Sequence, residues 1–230
     1  MNIKYLVSTL LAVLAVALAS SAAGNDSLPE VTHDGLHLVK DTKVRAVWMK
    51  PGASLDEYSE VALLACYVAF NKHWQSDYNE QTIQLENMIT DQDMKKIRTE
   101  LGKEFNKVFT EVLTAAGHKM VTEGGSGVLI VRPAIINLEI TSPDTMAPEM
   151  EQSFSANAGQ MTLYMELYDG RTGDIIARVV DPEALGDDFW QVRNSVTNLA
   201  DADRVLRRWA TLLSDHLAAM KAAPAAKAGQ

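Results

Sequence analysis

The chain has 230 residues, 47% of them hydrophobic, with 30 acidic against 21 basic side chains and a formal net charge of −9. Such a length and mix exclude a disordered chain and suit one folded domain with tails. A surface this acidic repels phosphate backbones and anionic lipid, which sets nucleic acid aside as a partner.

Met1–Lys4 is a short positive start, Tyr5 to Ala19 (YLVSTLLAVLAVALA) is apolar, and Ser20-Ser21-Ala22-Ala23 supplies small residues. This is the layout of a secretory signal peptide at 1–23, with Ser21 and Ala23 at the −3 and −1 positions of the cleavage site. The expectation is an exported, periplasmic protein, soluble or associated with the outer membrane, with no stable membrane span after cleavage. The alternative is a retained N-terminal anchor.

Residues 24–43 hold Pro29, Asp34-Gly35 and few apolar anchors, which predicts an extended lead-in. Arg45–Met49 alternates as a strand does, and Pro51-Gly52 ends it. Asp56–Ser59 suits one helical turn. Val61 to Phe70 (VALLACYVAF) is an uncharged run bounded by turn residues, read as one strand buried on both faces. Cys66, the single cysteine, lies inside it and cannot form an internal disulfide. There it reads as a small packed hydrophobe rather than a catalytic thiol.

Asn71 to Ile89 is polar but carries Trp74 and Tyr78, and predicts a long loop with a short helical piece. Thr90 to Ala116 places Met94, Ile97, Leu101, Phe105, Val108 and Val112 at steps of three and four, the stripe of a helix lying on a sheet. Thr90 with Asp93 has the form of a capping box, and Gly117 stands where the helix needs a left-handed closing residue. His118–Val121 suits a short edge strand, and Glu123–Gly127 a turn. Val128 to Ile140 is a long strand whose even-numbered face is apolar except for Arg132. Pro133 within it cannot donate to a ladder and marks a bulge or an unpaired edge position.

Ser142 to Ala158 is an insertion without periodicity. Met161 to Tyr168 alternates, Asp169–Gly173 turns, and Ile175 to Val180 returns, which is a hairpin. Asp181 to Thr197 reads as a long loop holding Asp187-Asp188-Phe189-Trp190. The last helix spans about Leu199 to Met220, with Leu206, Trp209, Leu213 and Leu217 on its stripe and Asn198 as N-cap. Residues 221–230 form an Ala-rich tail expected to be disordered.

These elements predict an α+β fold at 44–220. It comprises one mainly antiparallel sheet of about five to six strands, with two long amphipathic helices packed on one face. The bare face would expose Trp48 or the hairpin aromatics unless a partner or the long loops cover them.

Gly35 to Phe70 (GLHLVKDTKVRAVWMKPGASLDEYSEVALLACYVAF), the hairpin Leu167 to Arg178, and Ala200-Asp201 with Arg208-Trp209-Ala210 resemble the bacterial family called domain of unknown function 3313 (DUF3313). The resemblance covers nearly all of the chain after the signal segment and rests on turn and packing residues. It implies an exported envelope protein, often lipoprotein-like, with no assigned activity and no catalytic residues to carry over. No cysteine stands directly after the signal segment here, so acyl tethering is not expected. The layout is also similar to periplasmic accessory domains that assemble into rings or dock on larger complexes, an analogy of fold alone.

The chemical candidates are few. His33 and His37 straddle Asp34-Gly35 outside any helix, and His73, His118 and His216 are scattered, so no metal or other cofactor is expected. Gly124-Gly125-Ser126-Gly127 leads into a strand rather than a helix, which makes it a turn and not a phosphate cradle. Asp169–Gly173 lacks the alternating acids of a calcium loop. Ser126, Ser142 and Ser153 lack a nucleophile-elbow setting.

The reading that follows is a non-enzymatic periplasmic interaction or assembly module, its partner another envelope protein or itself as a homo-oligomer. Trp74, Tyr78, Phe189 and Trp190 are its candidate contact surface. One alternative is a hydrolase of an envelope polymer using Asp181, Glu183, Asp187 or Asp188. A second is a small-ligand-binding protein resting on Met146, Met150 and Phe154.

Overall fold

The computed structural model describes residues 28–83, 85–141, 153–155, 159–185, 191–193 and 195–222. Residues 1–27, Met146, Met150, Asp187, Asp188, Phe189, Trp190 and residues 223–230 lie outside them. The strands are β1 (His37–Val39), β2 (Ala46–Met49), β3 (Glu60–Leu63), β4 (Tyr67–Phe70), β5 (Lys119–Met120), β6 (Val128–Ile140), β7 (Ser153–Ser155), β8 (Gly159–Asp169), β9 (Ile175–Leu185) and β10 (Gln191–Arg193). The helices are α1 (Trp74–Gln81), α2 (Asp91–Ala115) and α3 (Ser195–Ala222), with a 3-10 turn at Leu85–Asn87.

The main sheet has eight strands in the order β1-β2-β9-β8-β6-β3-β5, with β4 beside β6, while β7 and β10 pair separately. This corrects the expected five to six strands. The lead-in adds β1, and the apolar run yields two strands instead of one. The sheet is also mixed: β3 and β4 run parallel to β6, and β5 runs parallel to β3. The remaining neighbours on it are antiparallel.

VALLACYVAF breaks at Leu64–Cys66, and the cause lies in its neighbours. Leu64 N–H donates to the Val131 carbonyl, so the odd-numbered backbone groups of β6 point toward β3 and β4. Pro133, two residues on, therefore turns its missing N–H toward the same side, and no ladder bond forms there. From α2, the Asn106 side chain fills the gap. Its Nδ2 donates to the Leu64 carbonyl at 3.0 Å, and its Oδ1 accepts from Cys66 N–H at 2.9 Å. Burial pushes the Cys66 thiol up to about 12, far from a reactive thiolate.

The expected limits of α2 hold at both ends. Thr90 accepts from Asp93 N–H while the Asp93 carboxylate accepts from Thr90 N–H, and Gly117 closes the helix at φ 85°. At α3, Asn198 is not the N-cap, because the helix already starts at Ser195. The predicted loop from Asp181 is also corrected: β9 continues to Leu185, extending the hairpin along β8.

α2 and α3 cover one face. The odd-numbered side chains Leu129, Val131, Ile135, Leu163, Met165 and Leu167 join Phe105, Phe109, Leu113, Leu206, Trp209 and Leu217 in one core. Phe105 and Phe109 are fully buried and stack at 4.0 Å. Across the sheet, Leu36, Ala46 and Trp48 form a smaller apolar cluster beneath the lead-in, and Trp48 Nε1 donates to the Pro29 carbonyl at 2.8 Å. The lead-in is thus an anchored cover for Trp48, which is 5% exposed.

Candidate functional site

The segment after β4, expected as a long loop with a short helical piece, holds the eight-residue helix α1, and a cleft lies beside it. Phe70 at the end of β4 stacks on Trp74 at 4.6 Å, and Tyr78 one turn later lies 5.7 Å from Trp74. Trp74 is buried and its Nε1 donates to the Ile140 carbonyl at 3.2 Å, tying α1 to the end of β6. Asn71 secures the approach. Its N–H donates to the Leu138 carbonyl and its Nδ2 donates to Glu139 Oε1 at 2.6 Å.

Between α1 and the ends of β6 and β8 lies a cleft of about 410 Å³, with Trp74 and Tyr78 on one wall and Glu139, Ile140 and Gln160 on the other. Asn71, Asp77, Gln81, Thr141 and Gly159 complete it. Its floor depends on Gly159, where a Cβ would sit 1.9 Å from the Glu139 carbonyl oxygen. Asn137 has a left-handed backbone, φ 52°, where the β6–β8 register shifts between Ile136 and Glu139. Such bulges redirect side chains at sheet ends.

Beyond α1 the chain leaves the body and returns at a clamp. Asn79 Nδ2 donates to the Ile89 carbonyl at 3.0 Å while Asn79 Oδ1 accepts from Ile89 N–H at 2.7 Å. The loop so closed carries Ile83 and Leu85, 98% and 78% exposed.

A second constellation lies on the sheet face opposite α2 and α3. Arg132, Glu166, Arg178, Trp48 and Leu38 are in register across five strands. Glu166, only 5% exposed, accepts from Arg132, Arg178 and the hydroxyls of Tyr164 and Tyr168. Burial alone would raise its carboxyl, but the hydroxyls of Tyr168 and Tyr164 and the Arg178 guanidinium outweigh burial and hold it below the usual range. Arg178 also grips Asp34 of the lead-in with two N–H groups, at 2.6 and 3.1 Å. Burial of Asp34 acts upward, yet Arg178 and the Thr32 hydroxyl bring it down to about 2. Every oxygen in this group answers to a partner within the chain, which makes it a fastening. In the sequence its trace was Arg132, alone on an apolar strand face.

The carboxylates named for hydrolysis fall differently from expectation. Asp181 and Glu183 are strand residues of β9, not loop residues. Asp181 is buried and accepts from Arg45 N–H, Arg208 Nη2 and Trp209 Nε1 at 2.8, 2.5 and 2.8 Å, and Glu183 also receives Arg208. Asp187 and Asp188 are outside the described residues. Of the four aromatics proposed as a contact surface, Trp74 and Tyr78 meet at the cleft, while Phe189 and Trp190 are outside the described residues. Phe154 lies in β7. Among the described residues no three His, Cys, Asp or Glu side chains gather as metal ligands. No described helix is long and apolar enough to cross a membrane.

Comparison with solved structures finds similar chains of low likeness, among them the following two. A PelC dodecamer from Paraburkholderia phytofirmans is 11% identical with a TM-score of 0.36, over 73% of this chain and 96% of that one. The hypothetical protein CT253 from Chlamydia trachomatis is likewise 11% identical with a TM-score of 0.36, over 70% and 99%. Scores of that size carry nothing about activity. No curated protein sequence matches the chain. Residues 33–213, from the turn before β1 into the C-terminal half of α3, match the family described as Protein of unknown function (DUF3313), and the chain belongs to that family.

Proposed function

We propose that this protein is a non-enzymatic assembly module of the bacterial cell envelope, exported by its N-terminal segment and acting through self-association. The observation that carries the reading is the Ile83–Leu85 loop. Two large aliphatic side chains stand at 98% and 78% exposure on a loop whose base is closed by the Asn79 amide. Burying side chains of that size gains roughly 1.5–3 kcal/mol each. The simplest cover is a second copy offering the same two residues across a two-fold axis. A stable interface takes roughly 800 Å² from each partner, so the loop would anchor a larger contact rather than complete one. The engagement of Asp181 and Glu183 by Arg208 speaks for a structural use of those acids rather than hydrolysis.

Sedimentation of the mature chain tests the reading. The expected result is a reversible oligomer that dissociates on Ile83→Asp with Leu85→Asp, while the far-UV circular dichroism spectrum stays that of the parent chain. A strictly monomeric parent chain would overturn self-association, and in-cell cross-linking would then show whether another envelope protein takes its place. Export is tested separately, by N-terminal sequencing of the protein from the periplasmic fraction, with Gly24 the expected first residue.

A further inference from the structure

The cleft beside α1 is independent of the Ile83–Leu85 loop and needs neither export nor self-association to act. Its volume of about 410 Å³ falls within the roughly 300–1,000 Å³ span of small-molecule sites. Its chemistry is more selective than its size. One wall is aromatic: Tyr78 is backed by Trp74 at 5.7 Å, and Trp74 is held in turn by Phe70 at 4.6 Å and by its bond to the Ile140 carbonyl. That ring therefore meets a ligand without first being ordered, which lowers the entropic cost of binding.

The polar groups around it include planar amides and carboxylates beside the hydroxyls of Thr141 and Tyr78. Gln81 and Gln160 each carry two N–H donors and an acceptor oxygen, while Asp77 and Glu139 accept only. Among the described residues no Lys or Arg lines the cleft. Side-chain donors beside side-chain acceptors suit a ligand whose groups both give and receive hydrogen bonds, and hydroxyls do both. Two carboxylates without a lining cation disfavour an anion. An aromatic ring offers a flat apolar surface to the C–H face of a ring-shaped ligand. The left-handed Asn137 two residues before Glu139 is a backbone conformation of the kind found where a site is built at local cost.

We propose that this cleft binds an uncharged, hydroxyl-rich ring ligand, a short glycan segment, with Tyr78 as the stacking platform and Gln81, Gln160 and Glu139 hydrogen-bonding its hydroxyls. Asn71 acts as a positioning residue, because its Nδ2 orients the Glu139 carboxylate at 2.6 Å.

The test uses the mature full-length chain and four probes: maltotriose, triacetylchitotriose, cadaverine and glucuronate. The readouts are titration calorimetry and the side-chain amide resonances of Gln81 and Gln160. A neutral trisaccharide is expected to bind with a millimolar Kd and to shift those amides. Gln81→Ala and Gln160→Ala, both at exposed positions, are each expected to weaken binding about tenfold, a loss of about 1.4 kcal/mol. Tyr78→Ala should abolish it, whereas Tyr78→Phe, which keeps the ring, should restore most of it. Because both glutamines are exposed, the test survives even if Tyr78→Ala unsettles α1. Binding of cadaverine or glucuronate in preference to both sugars would overturn the proposal. So would the absence of any sugar-induced shift at Gln81 and Gln160, or sugar binding unchanged in both glutamine variants.

Discussion

The two faces of the main sheet are built from the same strands by different physics. On the odd-numbered face, aliphatic and aromatic side chains meet α2 and α3, and the attraction is the non-directional one of buried apolar area. On the other, a row of charges and hydroxyls centred on Glu166 holds the lead-in through Arg178 and Asp34. The first face depends on volume and tolerates changes of chemistry among hydrophobes. The second depends on which atom donates to which, and should tolerate changes of charge less than changes of volume.

The largest effect is expected on the first face. Phe105 is fully buried and stacked on Phe109, so Phe105→Ala should cost about 3–5 kcal/mol in urea denaturation, while Phe105→Leu should cost far less. Equal losses in the two variants would mean that ring stacking rather than filled volume supports this core.

Next comes Glu166→Gln, nearly identical in shape but without charge. It leaves Arg132 and Arg178 facing an amide and should cost about 2–3 kcal/mol in the same experiment. A neutral result would show that the second face, like the first, responds to shape alone.

The smallest effect is a pH dependence. Asp34 falls from its ordinary 3.8 to about 2 in the folded chain. Its contribution is therefore present in full above about pH 4 and is lost as pH falls toward about 2. Comparing melting temperatures of the parent chain and Asp34→Asn across that window isolates it from the parallel protonation of Glu166. The two curves should converge at the acid end. A constant gap would place the value of Asp34 in packing instead of charge.

Much of the first face was legible in the residues, because periodicity reports apolar burial directly. The stripe of α2, its Thr90–Asp93 cap and the Met161–Leu167 alternation each state their own structure locally. The second face was not legible in this way. Arg132 was visible as an oddity, but its carboxylate stands 34 residues away, and Asp34 reaches Arg178 across 144. Register, not composition, brings them together.

The same limit governs the cleft. Tyr78 and Trp74 stood out as aromatics in a polar segment with a short helical piece, yet the bounds of α1 were hidden. Its first residue follows His73, which supplies no side-chain cap. Glu139, Gly159 and Gln160 joined them only once β6 and β8 were paired. VALLACYVAF misled for a related reason, since hydropathy is blind to a missing N–H on a neighbouring strand.

That missing N–H also bears on the order in which the molecule assembles. With Pro133 silent, the Leu64 carbonyl and Cys66 N–H find their partner in Asn106, about forty residues downstream on α2. β3 and β4 are therefore fully hydrogen-bonded only after the helix has docked, and the helix is seated only once both strands lie on β6. The three elements gain their stability together, as one cooperative unit, and local opening of α2 would unseal the β3–β4 flank of the sheet while the β8–β9 hairpin stays paired.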